Sequence, residues 1–145
     1  MTLKKLFADF KPFRQGVSKV LGPLEADIME IIWQKGSSSV REVYEHLSLK
    51  REIAYTTVMT IMGRLAEKAI LHKEQKGNAY IYSAALSKEE FTDGMVSNVL
   101  DGLLDDYADA AFSHFMRKVG KEDQAKIARL EDLIRQFKAE EEKDA

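Results

Sequence analysis

The sequence lacks cysteine and has only two prolines and one tryptophan among its 145 residues. The missing thiols exclude disulfides, thiolate zinc sites, iron–sulfur clusters and cysteine nucleophiles. This suits the reducing cytoplasm, where we expect the protein to work. Residues 1–20 contain no unbroken apolar run, so we expect neither a signal peptide nor a membrane span there.

The sequence also has few features of catalysis. Its three histidines, His46, His72 and His114, lie far apart and have no metal-ligand spacing. It has no glycine-rich phosphate loop and no Ser–His–Asp signature. We therefore predict a protein that is not an enzyme and that uses no cofactor or metal.

Charge is distributed unevenly along the chain. Residues 1–83 carry thirteen Lys and Arg against nine Asp and Glu, whereas residues 84–145 carry nine against fifteen. A basic region joined to an acidic one suits a protein that contacts a polyanion with one part only. Chance variation of a solvated surface is the alternative interpretation.

Hydrophobic periodicity predicts three helices in the middle of the chain. The first begins at Pro23, because proline suits the first helical position, and it stops near Gly36. The second opens with a capping box, in which Ser39 is followed three residues later by Glu42. The third covers about residues 54–69.

Two short strand-like runs follow, over residues 71–75 and 79–83. Gly77 and Asn78 lie between them, and both tolerate the positive φ of a tight hairpin turn. Three helices and a hairpin, in this order, are typical of a winged helix-turn-helix. We therefore predict a mainly α fold with a small β-hairpin, followed by a helical tail.

The tail opens at a second capping box, Ser87 to Glu90, and has the periodicity of three amphipathic helices. Gly94 and Gly102 indicate a bend or close packing in the first of them. Because the tail has no further layer to cover its apolar faces, a second copy is the simplest partner. We predict a dimer interface formed by Phe91, Met95, Val99, Leu103, Phe112, Phe115, Met116, Ile127, Leu130, Ile134 and Phe137.

The third helix is the predicted recognition helix, which lies in the DNA major groove. With Val58, Met62 and Leu65 facing inward, its outer face is small and polar. Threonine hydroxyls bond base edges or phosphates, and threonine methyls meet the thymine methyl; a plain solvated helix face is the alternative. The predicted DNA contacts on this helix are Tyr55, Thr56, Thr57, Met59, Thr60, Arg64 and Lys68.

Further DNA contacts are expected outside the recognition helix. The wing would touch phosphates or the minor groove, and an N-terminal arm, residues 1–22, would add phosphate contacts. The aromatic residues of this arm either dock on the body or leave it flexible. The predicted contacts are Lys73, Lys76, Gly77 and Asn78 in the wing, Ser39 and Arg41 in the second helix, and Arg14 and Lys19 in the arm. The expected domains are thus residues 1–22, 23–85 and 86–145.

Several runs resemble the penicillinase repressor family of winged-helix regulators. Residues 54–60, which read Ala-Tyr-Thr-Thr-Val-Met-Thr, are similar to the segment with which that family reads its operator. The other similar runs are Leu21–Met29, Ile32-Trp33, Val40–Val43, Arg64-Leu65 with Lys68, and Gly77 with Tyr80–Tyr82. The resemblance covers residues 20–85 closely and the tail in pattern only.

The resemblance implies a homodimeric repressor that binds a palindromic double-stranded DNA operator. In the antibiotic-resistance members, a membrane-bound sensor protease leads to cleavage of an Asn-Phe bond, and His114-Phe115 aligns with that bond here. The asparagine is absent, so the protease partner stays open. Copper-sensing members carry tail cysteines that this chain lacks. A winged-helix adaptor that binds proteins without specific DNA binding is the alternative function.

Overall fold

The computed structural model describes residues 6–7, 10–12, 14–122 and 124–144. The chain divides into two compact units, Met1–Leu100 and Asp101–Ala145. The internal packing of the two units differs.

Among its described residues, the first unit contains three complete helices, α1 (Pro23–Lys35), α2 (Val40–Ser48) and α3 (Tyr55–Glu67), preceded by a short 3-10 turn, Gly16–Lys19. It also includes the start of a fourth helix, as far as Leu100. Pro23 occupies the first position of α1, and Gly36 ends this helix with a φ of 92°. Both boundaries agree with the prediction, because proline fits the helix start and glycine accepts a positive φ.

The predicted capping box of α2 is present. The Ser39 hydroxyl accepts from the backbone N–H of Glu42 at 3.2 Å, and the Glu42 carboxylate accepts from the backbone N–H of Ser39 at 3.3 Å. Two N–H groups that the helix start leaves unsatisfied are thereby paired.

A three-stranded antiparallel sheet completes the first unit, with strands β1 (Ser37–Ser39), β2 (Leu71–Lys76) and β3 (Ala79–Ala84) in the order β1-β3-β2. The hairpin formed by β2 and β3 was predicted, and Gly77 has the positive φ, 65°, that its turn needs. Asn78, the other residue of this turn, does not have a positive φ. Strand β1 was not predicted; it pairs Ser38 with Tyr82 of β3.

One core holds the first unit together. Side chains from all three helices are fully buried in it, including Ile28 and Ile32 of α1, Val43 of α2, and Met62 and Leu65 of α3. These are the apolar stripes that the 3.6-residue period predicted.

The N-terminal segment contributes to this core. Phe7 is 4% exposed, and its ring centre lies 5.5 Å from that of Phe91 in an edge-to-face contact. Of the two alternatives for the aromatic residues of the arm, docking on the body therefore holds for Phe7. Phe10 is half-buried against the same core, and Phe13 lies outside the described residues.

The end of α3 is closed by backbone hydrogen bonds that also direct the chain into β2. The N–H of Ile70 reaches the carbonyl of Leu65, and that of Ala69 reaches Ala66, both at 3.0 Å. This is the Schellman arrangement, with its left-handed position at Ala69, where φ is 63°. Glycine usually occupies this position because alanine is strained there.

Two long helices follow, α4 (Lys88–Glu122) and α5 (Gln124–Asp144). The expected capping box starts α4, since the Ser87 hydroxyl accepts from the N–H of Glu90 at 3.0 Å. The helical path is interrupted at Tyr107, with φ −133° and ψ 37°, and not at a glycine. Gly94 instead provides close packing: a Cβ built there would lie 2.9 Å from the Phe7 ring.

Two residues predicted for the dimer interface have another role. Phe91 is fully buried in the core of the first unit, and Met95 is 7% exposed there. Phe91 contacts the rings of Phe7 and Trp33, and the Trp33 indole N–H donates to the carbonyl of Leu86 at 3.0 Å. Because these contacts cover both residues within one protomer, we remove them from the predicted interface.

The second unit buries almost nothing by itself. None of its described residues falls in the buried class, and the apolar side chains of Tyr107, Phe112, Phe115 and Phe137 are more than half exposed. Among the helices that the structure describes, none is both long enough and apolar enough to cross a membrane.

Candidate nucleic-acid interface

The outer face of α3 is separated cleanly from its buried face. Val58, Met62 and Leu65 are fully buried, with Ile61 packed partly against the same core. All but one of the predicted contacts on this helix are exposed, namely Tyr55, Thr56, Thr57, Met59, Thr60 and Arg64. The exception is Lys68, whose side chain is 26% exposed.

Three threonines and an arginine line one shallow depression on this outer face. Thr56, Thr57, Thr60 and Arg64 surround it, with Ile61 at its base. The Thr60 hydroxyl donates to the backbone carbonyl of Thr56 at 2.9 Å, so its oxygen is left as an acceptor. The hydroxyls of Thr56 and Thr57 form no hydrogen bond with any described residue, so each can donate or accept toward a ligand.

The start of α3 adds backbone donors. Ala54 is the N-cap residue and supplies no side-chain acceptor. The N–H of Thr57 donates to the carbonyl of Ala54 at 3.1 Å, which leaves the N–H groups of Tyr55 and Thr56 without a partner among the described residues. Such groups and the helix dipole favour a phosphate. The Tyr55 ring beside them is held by an edge-to-face contact with Tyr44 of α2, at 5.5 Å between centres.

The cationic side chains near this face differ in whether they form an ion pair with an acidic side chain. Arg64 and Lys76 are exposed and make no ion pair with a described residue. Lys68 lies 3.5 Å from the Glu25 carboxylate, with both side chains about three-quarters buried. Arg41 lies 3.4 Å from Glu45 on the α2 surface. Lys68 is therefore poorly placed for the phosphate contact predicted for it, whereas Arg64 and Lys76 are available.

The wing is exposed and basic on strand β2, from His72 to Lys76. The ammonium of Lys73 lies 4.1 Å from the centre of the Tyr80 ring, which orients it across the hairpin. Tyr82 is buried, as expected for packing against the helices, but Tyr80 is about half exposed. The exposed turn residues Gly77 and Asn78 complete the wing.

The remaining predicted contacts lie elsewhere on the first unit. Ser39 caps α2 with its hydroxyl, so that oxygen is already engaged. Arg14 is exposed, and its backbone carbonyl accepts from the ammonium of Lys19. The structure thus brings Arg14 and Lys19 together.

Two residues that position this interface were not among the sequence predictions for it. Glu25 holds Lys68, and Tyr44 supports Tyr55. Both partners come from other helices, so no local spacing connects them. The one available signal was that Glu25 and Tyr44 lie on helices that a winged helix-turn-helix packs against its recognition helix.

The described residues contain no group of three or more His, Asp or Glu side chains placed to hold a metal ion.

Three packed helices followed by a hairpin that extends a small antiparallel sheet define a winged helix-turn-helix protein, as predicted. A family model described as penicillinase repressor matches residues 21–136. The chain belongs to the penicillinase repressor family, which confirms the resemblance in its sequence.

Individual relatives agree with this assignment. The transcriptional regulator BlaI of Mycobacterium tuberculosis (strain ATCC 25618 / H37Rv) is 34% identical over 105 residues, which cover 71% of this chain and 76% of the relative. The penicillinase repressor of Staphylococcus aureus is 32% identical over 66 residues, which cover 46% of this chain and 52% of that protein.

Solved structures with a similar fold include the DNA-binding domain of the repressor BlaI, at 24% identity and a TM-score of 0.45, covering 48% of this chain and 85% of that one. Another is the transcriptional regulator Tm0710 from Thermotoga maritima, at 19% identity and a TM-score of 0.43, covering 86% of this chain and 79% of that one.

Proposed function

We propose that this protein is a cytoplasmic transcriptional repressor without enzymatic activity, which binds a palindromic DNA operator as a homodimer. The observation that carries the proposal is the outer face of α3. There the unpaired hydroxyls of Thr56 and Thr57 lie beside the unpaired guanidinium of Arg64. The relatives named as a transcriptional regulator and a penicillinase repressor support it.

The threonines of α3 are suited to different groups on the base edges. Thr57 can donate or accept, so it suits either a purine N7 or an exocyclic amino group. Thr60 already donates to Thr56, so it suits an amino group of adenine or cytosine, and its methyl suits thymine. Exposed Met59 offers an apolar contact to the same methyl group.

Positively charged groups at both sides of α3 fix its position on the duplex. Arg64 reaches phosphates beyond the bases that the threonines contact, while Lys76 and Lys73 reach those beside the wing. Such contacts carry affinity for any sequence and make it depend on salt. Arg14 and Lys19 add to them from the N-terminal segment.

The second unit joins two copies. Its exposed apolar side chains, among them Phe112, Phe115 and Phe137, are those of an interface that a second copy covers. Two winged helices joined in this way meet half-sites about 34–36 Å apart, or a multiple of that distance, which is one helical turn of DNA.

Selection of genomic fragments by the purified protein, read by sequencing at moderate salt, tests the proposal. We expect a palindromic motif whose binding weakens as salt is raised. Recovery of random fragments would contradict binding to a specific operator. Recovery of none would favour the adaptor function, because a protein-docking surface has no phosphate contacts for salt to screen.

Substitutions in α3 and the wing separate specificity from affinity. Thr57→Ala should relax the preference at one base pair, by about 1–3 kcal/mol, while Thr57→Ser should retain it. Lys76→Ala should weaken binding to every sequence and reduce the salt slope by about 1. Lys68→Ala is the matched control and should leave the slope unchanged, because Glu25 holds Lys68. Equal losses on operator and random DNA for all three alanine variants would contradict this division.

A further inference from the structure

The second unit contains an apolar groove with a basic rim, where the end of α4 meets the start of α5. Its floor includes Phe115, Val119, Leu130 and Leu133, and its rim carries Lys118, Lys126 and Arg129. We call this the basic groove. Apolar walls with cations on one rim suit a segment that is itself apolar on one side and acidic on the other.

The same unit carries a segment of that kind. Residues 101–109, which we call the acidic segment, contain four aspartates, Asp101, Asp105, Asp106 and Asp109, and no lysine or arginine. None of these carboxylates makes an ion pair with a residue that the structure describes. Leu103 and Tyr107 in this segment are 45% and 64% exposed, so the second unit by itself leaves much of their apolar surface uncovered.

We propose that the acidic segment of each copy docks in the basic groove of the other, so that the two α4 helices run antiparallel. The proposal rests on the homodimer proposed above and specifies its register. Because both surfaces belong to one chain, two copies related by a two-fold axis satisfy both at once and close the assembly.

The spacing along α4 fits this arrangement. With the two-fold axis near residue 112, the sequence offset along α4 places Lys118 opposite the partner's Asp106 and Val119 opposite the partner's Asp105, two positions that come just before the interruption of the helical path at Tyr107. Ala110 and Ala111 lie close to the axis, and such small side chains allow two helices to approach closely. A parallel pair would instead place the four aspartates against the same four aspartates.

Charge reversal tests the register in the full-length protein. A groove variant carries Lys118→Glu and Arg129→Glu, and a segment variant carries Asp105→Lys and Asp106→Lys. Each alone places like charges together, so its dimer dissociation constant should rise about tenfold or more at low salt. In an equimolar mixture, heterodimers have opposite charges at both contacts, so association should return to near the wild-type value in sedimentation equilibrium.

The outcomes separate the register from the dimer itself. If the wild-type chain is monomeric, the homodimer and this register both fail, while DNA binding through α3 is judged separately. If the wild type is dimeric but the variants pair equally well alone, the register is overturned and the homodimer stands. Failure of the mixture to restore association, after each variant alone has lost it, also overturns the register.

Crosslinking gives a second measurement, since the chain has no cysteine of its own. Ala111→Cys lies near the proposed axis and should form a disulfide-linked dimer on oxidation. In Lys121→Cys the two thiols should be about 27 Å apart along the helices, from a rise of 1.5 Å per residue, and should stay unlinked. Linkage of Lys121→Cys to itself would overturn the antiparallel arrangement.

Discussion

The two units of this protein use the same helical periodicity in different ways. Among the described residues of the first unit, twenty-one hydrophobic side chains form one buried core. In the second unit no described residue is buried, although aromatic and aliphatic side chains recur along both helices. An apolar stripe on a helix thus indicates that other apolar residues pack against it. The tertiary arrangement determines whether those residues belong to the same chain or to another copy.

This difference implies two kinds of stability. The first unit has a closed core, so its unfolding free energy should not depend on protein concentration. In the proposed homodimer the second unit is covered by association, so its stability should rise with concentration by mass action. Three pairs of substitutions test or refine this comparison.

The largest expected effect comes from two phenylalanines in the two units. Phe91→Ala removes a side chain that is 0% exposed, between Phe7 and Trp33, and should cost about 3–5 kcal/mol of unfolding free energy. Phe137→Ala removes one that is 68% exposed, and should change the dimer dissociation constant instead. Chemical denaturation at several protein concentrations measures both.

These two results can fail separately. If Phe91→Ala costs less than about 1 kcal/mol, the first unit has no closed core around this ring, since core truncations of this size cost more. If Phe137→Ala lowers the stability equally at every concentration, the second unit is stabilised within one protomer.

The sequence predicted the first unit well because its signals are local. Pro23, the Ser39 capping box and the Gly77 turn each fix a boundary through the backbone of neighbouring residues. Strand β1 could not be found in this way. Its three serines have no apolar alternation, and they become a strand only because β3, some forty residues away in the sequence, offers an unpaired edge.

The sequence predicted which residues share the outer face of α3, but not which of the charged side chains near it form ion pairs. The positions of Thr57 and Arg64 follow from helical period alone. The ion pair between Lys68 and Glu25 does not follow from this period, because Glu25 is distant in sequence and meets Lys68 only through the packing of α1 on α3. Phe91 was assigned to the dimer for the same reason, since periodicity shows an apolar stripe without showing its neighbour.

A smaller effect is expected at two glycines, one in each unit. A methyl group at Gly94 would lie 2.9 Å from the Phe7 ring, so Gly94→Ala should destabilise the protein by about 1–3 kcal/mol through overpacking. A methyl group at Gly102 has no atom within 4 Å, so Gly102→Ala should stabilise its helix by up to about 1 kcal/mol. Thermal unfolding of both variants should show shifts of opposite sign.

Phe7 provides the control for the first of these substitutions. In a Phe7→Ala background the ring is gone, so Gly94→Ala should no longer be destabilising. A double-mutant cycle that shows no coupling between the two positions would contradict the contact between the N-terminal segment and α4.

The smallest effect concerns the one described non-glycine residue with a positive φ, Ala69 at the end of α3. Ala69→Gly should stabilise the protein by about 0.5–1 kcal/mol, because relief of the left-handed strain exceeds the added freedom of the unfolded chain. The matched substitution Ala66→Gly, one turn earlier in α3, should destabilise by about 1 kcal/mol. Chemical denaturation that gave both variants the same sign would mean that Ala69 bears no strain. The expected opposite signs would show that a unit with a filled core still carries an unfavourable backbone conformation, at the point where α3 leads into β2.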